Sequence, residues 1–223
     1  MSSFTLERAG LDGSTLSDAQ MAELKATATA LCAPGKGFLA SDESAGPWLR
    51  AGHSEAKKIP DNAENRAAYR SMLYTTPGLS ENISGVILHK ETLYQCDANG
   101  TKMVDLITGN GMIPGIKLDK GYDTAGIPGT AVGPLGHPET WDKGIDDLDK
   151  RCKEAYAQGA RFAKWRNVLQ IDPDSGLPSD LAIEMCVQNL AQVKSATENE
   201  RRRFSLITPG DFPHAMCTHG RCM

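Results

Sequence analysis

The stretch Phe162-Ala163-Lys164-Trp165-Arg166 decides how this chain folds. On a β-strand, side chains two apart share a face, so Phe162, Lys164 and Arg166 point one way and Ala163 and Trp165 the other. An apolar strand gains no stability from two cations on one buried face, because an unpaired buried charge is costly. Either the strand frays and both cations reach water, or the face opens on a cationic pocket suited to a phosphorylated, electron-rich substrate.

The same pattern recurs upstream. Gly37-Phe38-Leu39-Ala40-Ser41 is an extended run that ends at Asp42, and Ile113-Pro114-Gly115-Ile116-Lys117-Leu118 carries a lysine near its end. Gly85-Val86-Ile87-Leu88 is a further short strand. Helical stretches lie between them. Ser17 with Gln20 forms a capping box ahead of the stripe Met21, Leu24, Ala28 and Leu31, which Pro34-Gly35 ends. Asp61 with Glu64 marks a second capping box before a helix through Tyr69 and Leu73. A short helix spans Met103 to Ile107, and an amphipathic stretch runs from about Glu139 to Ala157. Ser179 starts a last helix with Ile183, Val187 and Leu190 on one face.

Four short strands separated by helices predict an α/β fold with a parallel sheet. A doubly wound sheet and a (β/α)₈ TIM barrel both fit. Asp42, Lys117, and Lys164 with Arg166 stand at C-terminal strand ends, where barrel enzymes build their sites, and this favours the barrel. A complete barrel takes eight strands and about 250 residues. Here four strands have been used by residue 166, and Arg203-Phe204-Ser205-Leu206-Ile207 can add one more. The expectation is about the first half of a barrel.

Composition narrows the function classes. The 223 residues carry a net charge of −4, with 40% apolar and 23% charged side chains, as in ordinary globular proteins. Neither nucleic acid nor a membrane is implied. No apolar run approaches the ~20 residues that span a bilayer. The N-terminus lacks the charged-then-apolar pattern of a secretory signal, so the cytoplasm is the expected location. Four scattered cysteines suit reduced thiols. The set His214, Cys217, His219 and Cys222 admits zinc, but its spacing matches no standard finger, and no metal is expected. Gly121 to Pro138 reads as a loop over a barrel mouth. Pro34-Gly35-Lys36-Gly37 lacks the spacing of a phosphate loop, no dinucleotide fingerprint is present, and His53, His89 and His137 stand isolated.

On the barrel reading, Lys117 and Asp42 face the same pocket as Lys164. A carboxylate among lysines suits proton transfer and carbonyl chemistry. Asp119-Lys120 either continues this motif or forms the solvated turn after the strand.

Five blocks, in order, resemble the class I (Schiff-base) fructose-bisphosphate aldolases. They are Gly35 to Ser44, Ala63 to Arg66, Gly85 to Tyr94, Gly115 to Gly121 and Phe162 to Arg166. The resemblance covers nearly everything up to about Gln192. It implies a TIM barrel, usually a homotetramer, and the reversible glycolytic cleavage of fructose 1,6-bisphosphate to glyceraldehyde 3-phosphate and dihydroxyacetone phosphate. A lysine imine serves as electron sink, with no metal or other cofactor.

Matched position by position, the resemblance makes Asp42 the proton-handling aspartate near the imine. Lys164 becomes the cation beside the reacting carbon, and Lys117 the lysine supporting that cluster. It places Ser44 and Arg166 near a phosphate and Arg66 in the substrate-binding set. Of a family Lys-Arg pair only Arg50 remains, and Pro47 replaces a serine of one phosphate contact. Residues 1–192 are therefore expected to form the N-terminal part of the barrel, and 193–223 a divergent, poorly ordered tail. The family's imine-forming lysine belongs to a sixth strand absent from that pattern. The alternative to the enzyme is a truncated, inactive fragment or isoform that acts at most through association.

Overall fold

Among the described residues, each strand after the first pairs in parallel with the strand before it in the chain. The structure, a computed structural model, describes residues 17–46, 49, 59–123, 125–198 and 205–207. Five strands, β1 (Gly37–Ser41), β2 (Ile83–Leu88), β3 (Ile113–Lys117), β4 (Phe162–Lys164) and β5 (Ser205–Ile207), lie side by side in the order β1-β2-β3-β4-β5. A doubly wound sheet reverses its order at a switch point, whereas a barrel adds each strand beyond the last. The strictly sequential order is that of the barrel.

The helices are α1 (Asp18–Leu31), α2 (Ala63–Tyr74), the short α3 (Leu79–Asn82), α4 (Met103–Gly109), α5 (Leu148–Ala157) and α6 (Asp180–Glu198). The Ser17–Gln20 capping box that opens α1 is present. At α2 the cap falls one residue later than the sequence predicts. Asn62 accepts from the Asn65 amide at 2.8 Å, because the Asp61 carboxylate is taken by the Arg66 guanidinium at 2.6 Å.

Alternation along the strands separates two cores. Val86, Leu88, Ile116, Ala163 and Trp165 face the helix layer and pack with Tyr74, Met103, Ile107, Leu148 and Val193. Each large side chain buried there contributes ~1.5–3 kcal/mol. Ile87 and Phe162 face the other way and meet Leu31 from α1, with Phe38 and Ile113 packed against them. Rings of Phe38 and Phe162 meet edge to face at 5.5 Å. The inward face is therefore closed by apolar groups at the N-terminal ends of the strands.

Two expected elements differ in the structure. The amphipathic stretch from Glu139 is not helical until Leu148. Residues 141–143 instead pair backbone to backbone with 120–123, and Gly144 turns the chain with φ +113°. Glu139 is buried and accepts from the Ser179 amide at 2.9 Å and hydroxyl at 2.5 Å, which ties this strap to the start of α6. In α6 the buried stripe is Ala182, Cys186, Val193 and Thr197, whereas Ile183 and Val187 are 42% and 61% exposed. Small residues let the helix approach closely and leave the larger neighbours at its flank.

Gln192, where the family pattern was expected to end, lies inside α6, which continues to Glu198. The expected fifth strand is realised as Ser205–Ile207, paired with β4. The basic run Arg201 to Arg203 and the His214–Cys222 cluster lie outside the described residues.

Candidate active site

Lys117 and Lys164 are register partners at the ends of β3 and β4. Partners on parallel strands project from the same face, so the two ammonium groups stand side by side at the open end of the sheet. One layer below them Gly115 pairs with Phe162. Charge thus begins where the apolar filling stops.

Asp42 follows β1 directly and reaches across β2 and β3. Lys164 Nζ donates to its Oδ2 at 2.5 Å, while Oδ1 is buried with no hydrogen-bond partner. The Asp42 side chain is wholly buried, and that of Lys164 is one-fifth exposed. Lys117 Nζ makes the matching contact to Asp119 Oδ1 at 2.6 Å, again with the carboxylate buried. Each lysine therefore has its own carboxylate, and each carboxylate keeps a second oxygen without a partner.

Arg166 lies two residues beyond Lys164, past the end of β4. Its guanidinium stands 5.8 Å from the Tyr122 ring centroid, and its Nε has no hydrogen-bond partner. Near it Asp142 is buried. Burial first, and the charge of Asp119 second, push the Asp142 carboxyl up to about 7, against the opposing pull of Arg166 and Lys117.

A cavity of about 260 Å³ opens beside this cluster, lined by Ser44, Asp61, Arg66, Arg70, His89 and Glu91 among others. Arg66 grips Glu91 with two bonds, Nε at 2.8 Å and Nη2 at 2.6 Å, and holds Asp61 with a third. Arg70, one helical turn further along α2, is buried and donates to the carbonyls of Ser41 and Glu43. It thus fixes the segment that carries Asp42. His89 is half-buried between the two clusters. Burial, then the charge of Arg70, lower its pKa, with a smaller push from Lys117. Among the described residues no group of three His, Cys, Asp or Glu could hold a metal.

The chain that carries this arrangement is similar to a known group of proteins. The sequence model of glycolytic class-I fructose-bisphosphate aldolases matches residues 23–209. The chain belongs to the class-I fructose-bisphosphate aldolase family. Its match to the family continues past Gln192. Fructose-bisphosphate aldolase 1 of Toxoplasma gondii is 44% identical over 179 residues, covering 80% of this chain and 47% of the relative. Cytosolic fructose-bisphosphate aldolase 5 of Arabidopsis thaliana is 46% identical over 172 residues, covering 76% and 44% respectively. The chain spans about half the length of the curated relatives it matches. A solved structure of the Plasmodium falciparum aldolase, in complex with TRAP and a small-molecule inhibitor, superposes with a TM-score of 0.74 at 41% identity. That match covers 84% of this chain and 51% of the other.

Of the residues that the aldolase resemblance points to, the structure brings Asp42, Lys117, Lys164 and Arg166 to one end of the sheet. Ser44 and Arg66 line the neighbouring cavity. Arg50 lies outside the described residues. Arg66 is saturated by two carboxylates, so as it stands it shapes the cavity wall. Asp119 is no solvated turn, because its carboxylate is buried on Lys117, whereas Lys120 is exposed and pairs with Asp147 at 2.9 Å. Arg70 was findable from its spacing of four from Arg66 on one helix face. No helix or strand period points to Asp142, which an irregular strap carries into place.

Among the described residues no helix is long and apolar enough to cross a membrane. Cys32, Cys96, Cys152 and Cys186 are free thiols. Burial pushes Cys152 up to about 12, as expected of an inert core thiol.

Proposed function

We propose that the protein takes part in the reversible cleavage of fructose 1,6-bisphosphate to glyceraldehyde 3-phosphate and dihydroxyacetone phosphate, with this chain supplying the cationic half of the site. The observation that carries the reading is the pairing of Lys164 with Asp42 beside Lys117. Aldol cleavage breaks the bond between C3 and C4 of the sugar. The C4 hydroxyl gives up its proton as the aldehyde forms, and the bonding electrons pass to a protonated imine at C2. Asp42, with one oxygen held by Lys164 and the other without a partner, is placed to take that proton. The Lys164 ammonium then steadies the charge that shifts between hydroxyl, carboxylate and imine.

Lys117 and Arg166 supply positive charge for a phosphate, and Ser44 a hydroxyl beside it. The family's imine is formed by a lysine outside the matched blocks. Lys164 and Lys117 are poor candidates for that step, because an ammonium held on a carboxylate is not a nucleophile. The homotetramer of the family and a cytoplasmic location go with the same reading, since plant relatives are named cytosolic.

The test is fructose 1,6-bisphosphate cleavage by the protein purified at its natural length from its own cells, read as triose phosphate released. Asp42→Ala and Lys164→Ala should each lower turnover by roughly a hundredfold or more. Absence of cleavage, or cleavage indifferent to both substitutions, would refute the proposal.

A further inference from the structure

Asp142 stands over the C-terminal end of β3, and its backbone, not its side chain, holds it there. The Lys120 amide donates to the Lys143 carbonyl at 2.9 Å, and the Lys143 amide donates to Gly121 at 2.8 Å. The Asp123 amide donates to Trp141 at 3.0 Å, so Tyr122 and Asp142 face one another across the strap. From α6, Asn189 Nδ2 donates to the Asp142 carbonyl at 3.3 Å. Arg151 of α5 locks both sides of the strap, donating to the Leu118 and Gly144 carbonyls.

Asp142 so held is 4% exposed as a residue, and its Oδ1 is buried with no hydrogen-bond partner. Two neighbouring polar atoms share that condition, Oδ2 of Asp119 and Nε of Arg166. Groups facing Asp142 come from every element around it. Lys117 and Asp119 belong to β3 and its end, Arg166 follows β4, and Tyr122 lies across the strap. From α6 comes Cys186, whose thiol is pushed up chiefly by burial, with Asp142 and Glu139 adding to it. Three cations, Lys117, Lys164 and Arg166, stand against two carboxylates, Asp42 and Asp119. Whether a positive charge is left over depends on Asp142.

We propose that Asp142 is a positioning residue whose proton sets the pocket's affinity for a phosphate-like dianion. With the proton on, the cluster keeps one spare positive charge, that of Arg166, whose Nε has no partner and can turn to an anion while Lys117 stays on Asp119. With the proton off, the third carboxylate cancels that charge and competes for Arg166. The carboxyl's rise to about 7 puts this change near neutral pH. The inference rests on reading the pocket as a phosphate site.

Inorganic sulfate is the probe, because it keeps its double charge on both sides of pH 7, whereas a sugar phosphate titrates there. Affinity of the 223-residue chain for sulfate is measured by calorimetry at acid, neutral and alkaline pH. Binding should weaken roughly tenfold as pH rises through about 7. Asp142→Asn should keep the acid-side affinity throughout, and Asp142→Glu should restore the pH dependence. Equal pH profiles for the chain and Asp142→Asn would overturn the inference while leaving the phosphate pocket standing. No sulfate binding at any pH would instead overturn the pocket reading. In the unsubstituted chain, the ¹³C resonance of the Asp142 carboxyl should titrate near neutrality. A midpoint in the ordinary carboxylate range would by itself overturn the inference, whatever the variants do.

Discussion

The ring of Phe162 lies across Gly115, its register partner on β3. A Cβ on Gly115 would stand well inside contact distance of that ring, and one on Gly85 would meet Leu31 at 2.7 Å. Absence of a side chain on two adjacent strands lets one aromatic ring fill the inward face. Gly115→Ala is therefore expected to destabilise the fold by about 1–3 kcal/mol. Adding Phe162→Leu should recover part of that loss in a double-mutant cycle. Urea unfolding measures both, and simple additivity of the two changes would refute the steric account.

The Asp42–Lys164 pair predicts an asymmetry. Lys164→Met strands a wholly buried carboxylate and should cost about 3 kcal/mol, with Asp42→Asn alone costing less. In the double variant neither charge remains, so stability should return toward that of the parent chain. Thermal unfolding of all four proteins decides this. Costs that add up in the double variant would mean that the pair does not act as a unit.

Stability should also depend on pH through Asp142. Its folded pKa lies above its unfolded value, so the folded chain holds the proton more tightly. That contribution is fully present at acid pH, declines as pH rises past the ordinary carboxylate range, and is gone above about 7. Asp142→Asn removes the dependence. The difference in melting temperature between Asp142→Asn and the parent should therefore grow in favour of the variant as pH rises to about 7. A constant difference would show that Asp142 titrates normally.

Both lysines of the cluster should resist imine trapping. Incubation with dihydroxyacetone phosphate and borohydride, followed by peptide mass spectrometry, should leave Lys117 and Lys164 unmodified, because each is held on a carboxylate within 2.6 Å. A reduced adduct on either would transfer the nucleophile's role to it and displace the assignment made above.

Strand periodicity made the inward direction of Lys164 readable, because residues on a short strand cannot change face without a bulge. The charged strand ends pointed to the barrel for the same reason. What stayed hidden was set by tertiary contact. Asn62 took the helix cap because Asp61 was claimed by Arg66, a partner visible only once α2 is folded. In α6 the larger residues Ile183 and Val187 looked like the core stripe, yet close packing selected Ala182 and Cys186. Asp142 reached the site along an irregular strap that obeys no period.

The sequential strand order also bears on how the chain is made. Each strand from β2 to β5 finds its template in the strand that left the ribosome just before it. The rim is laid down in the same order, Asp42 first, then Lys117, then Lys164. Only at that last step can the ion pair close, across 122 residues of already emerged chain. Until β4 docks, Asp42 remains a carboxylate without its cation. Docking of β4 thus extends the sheet and neutralises this carboxylate in one event.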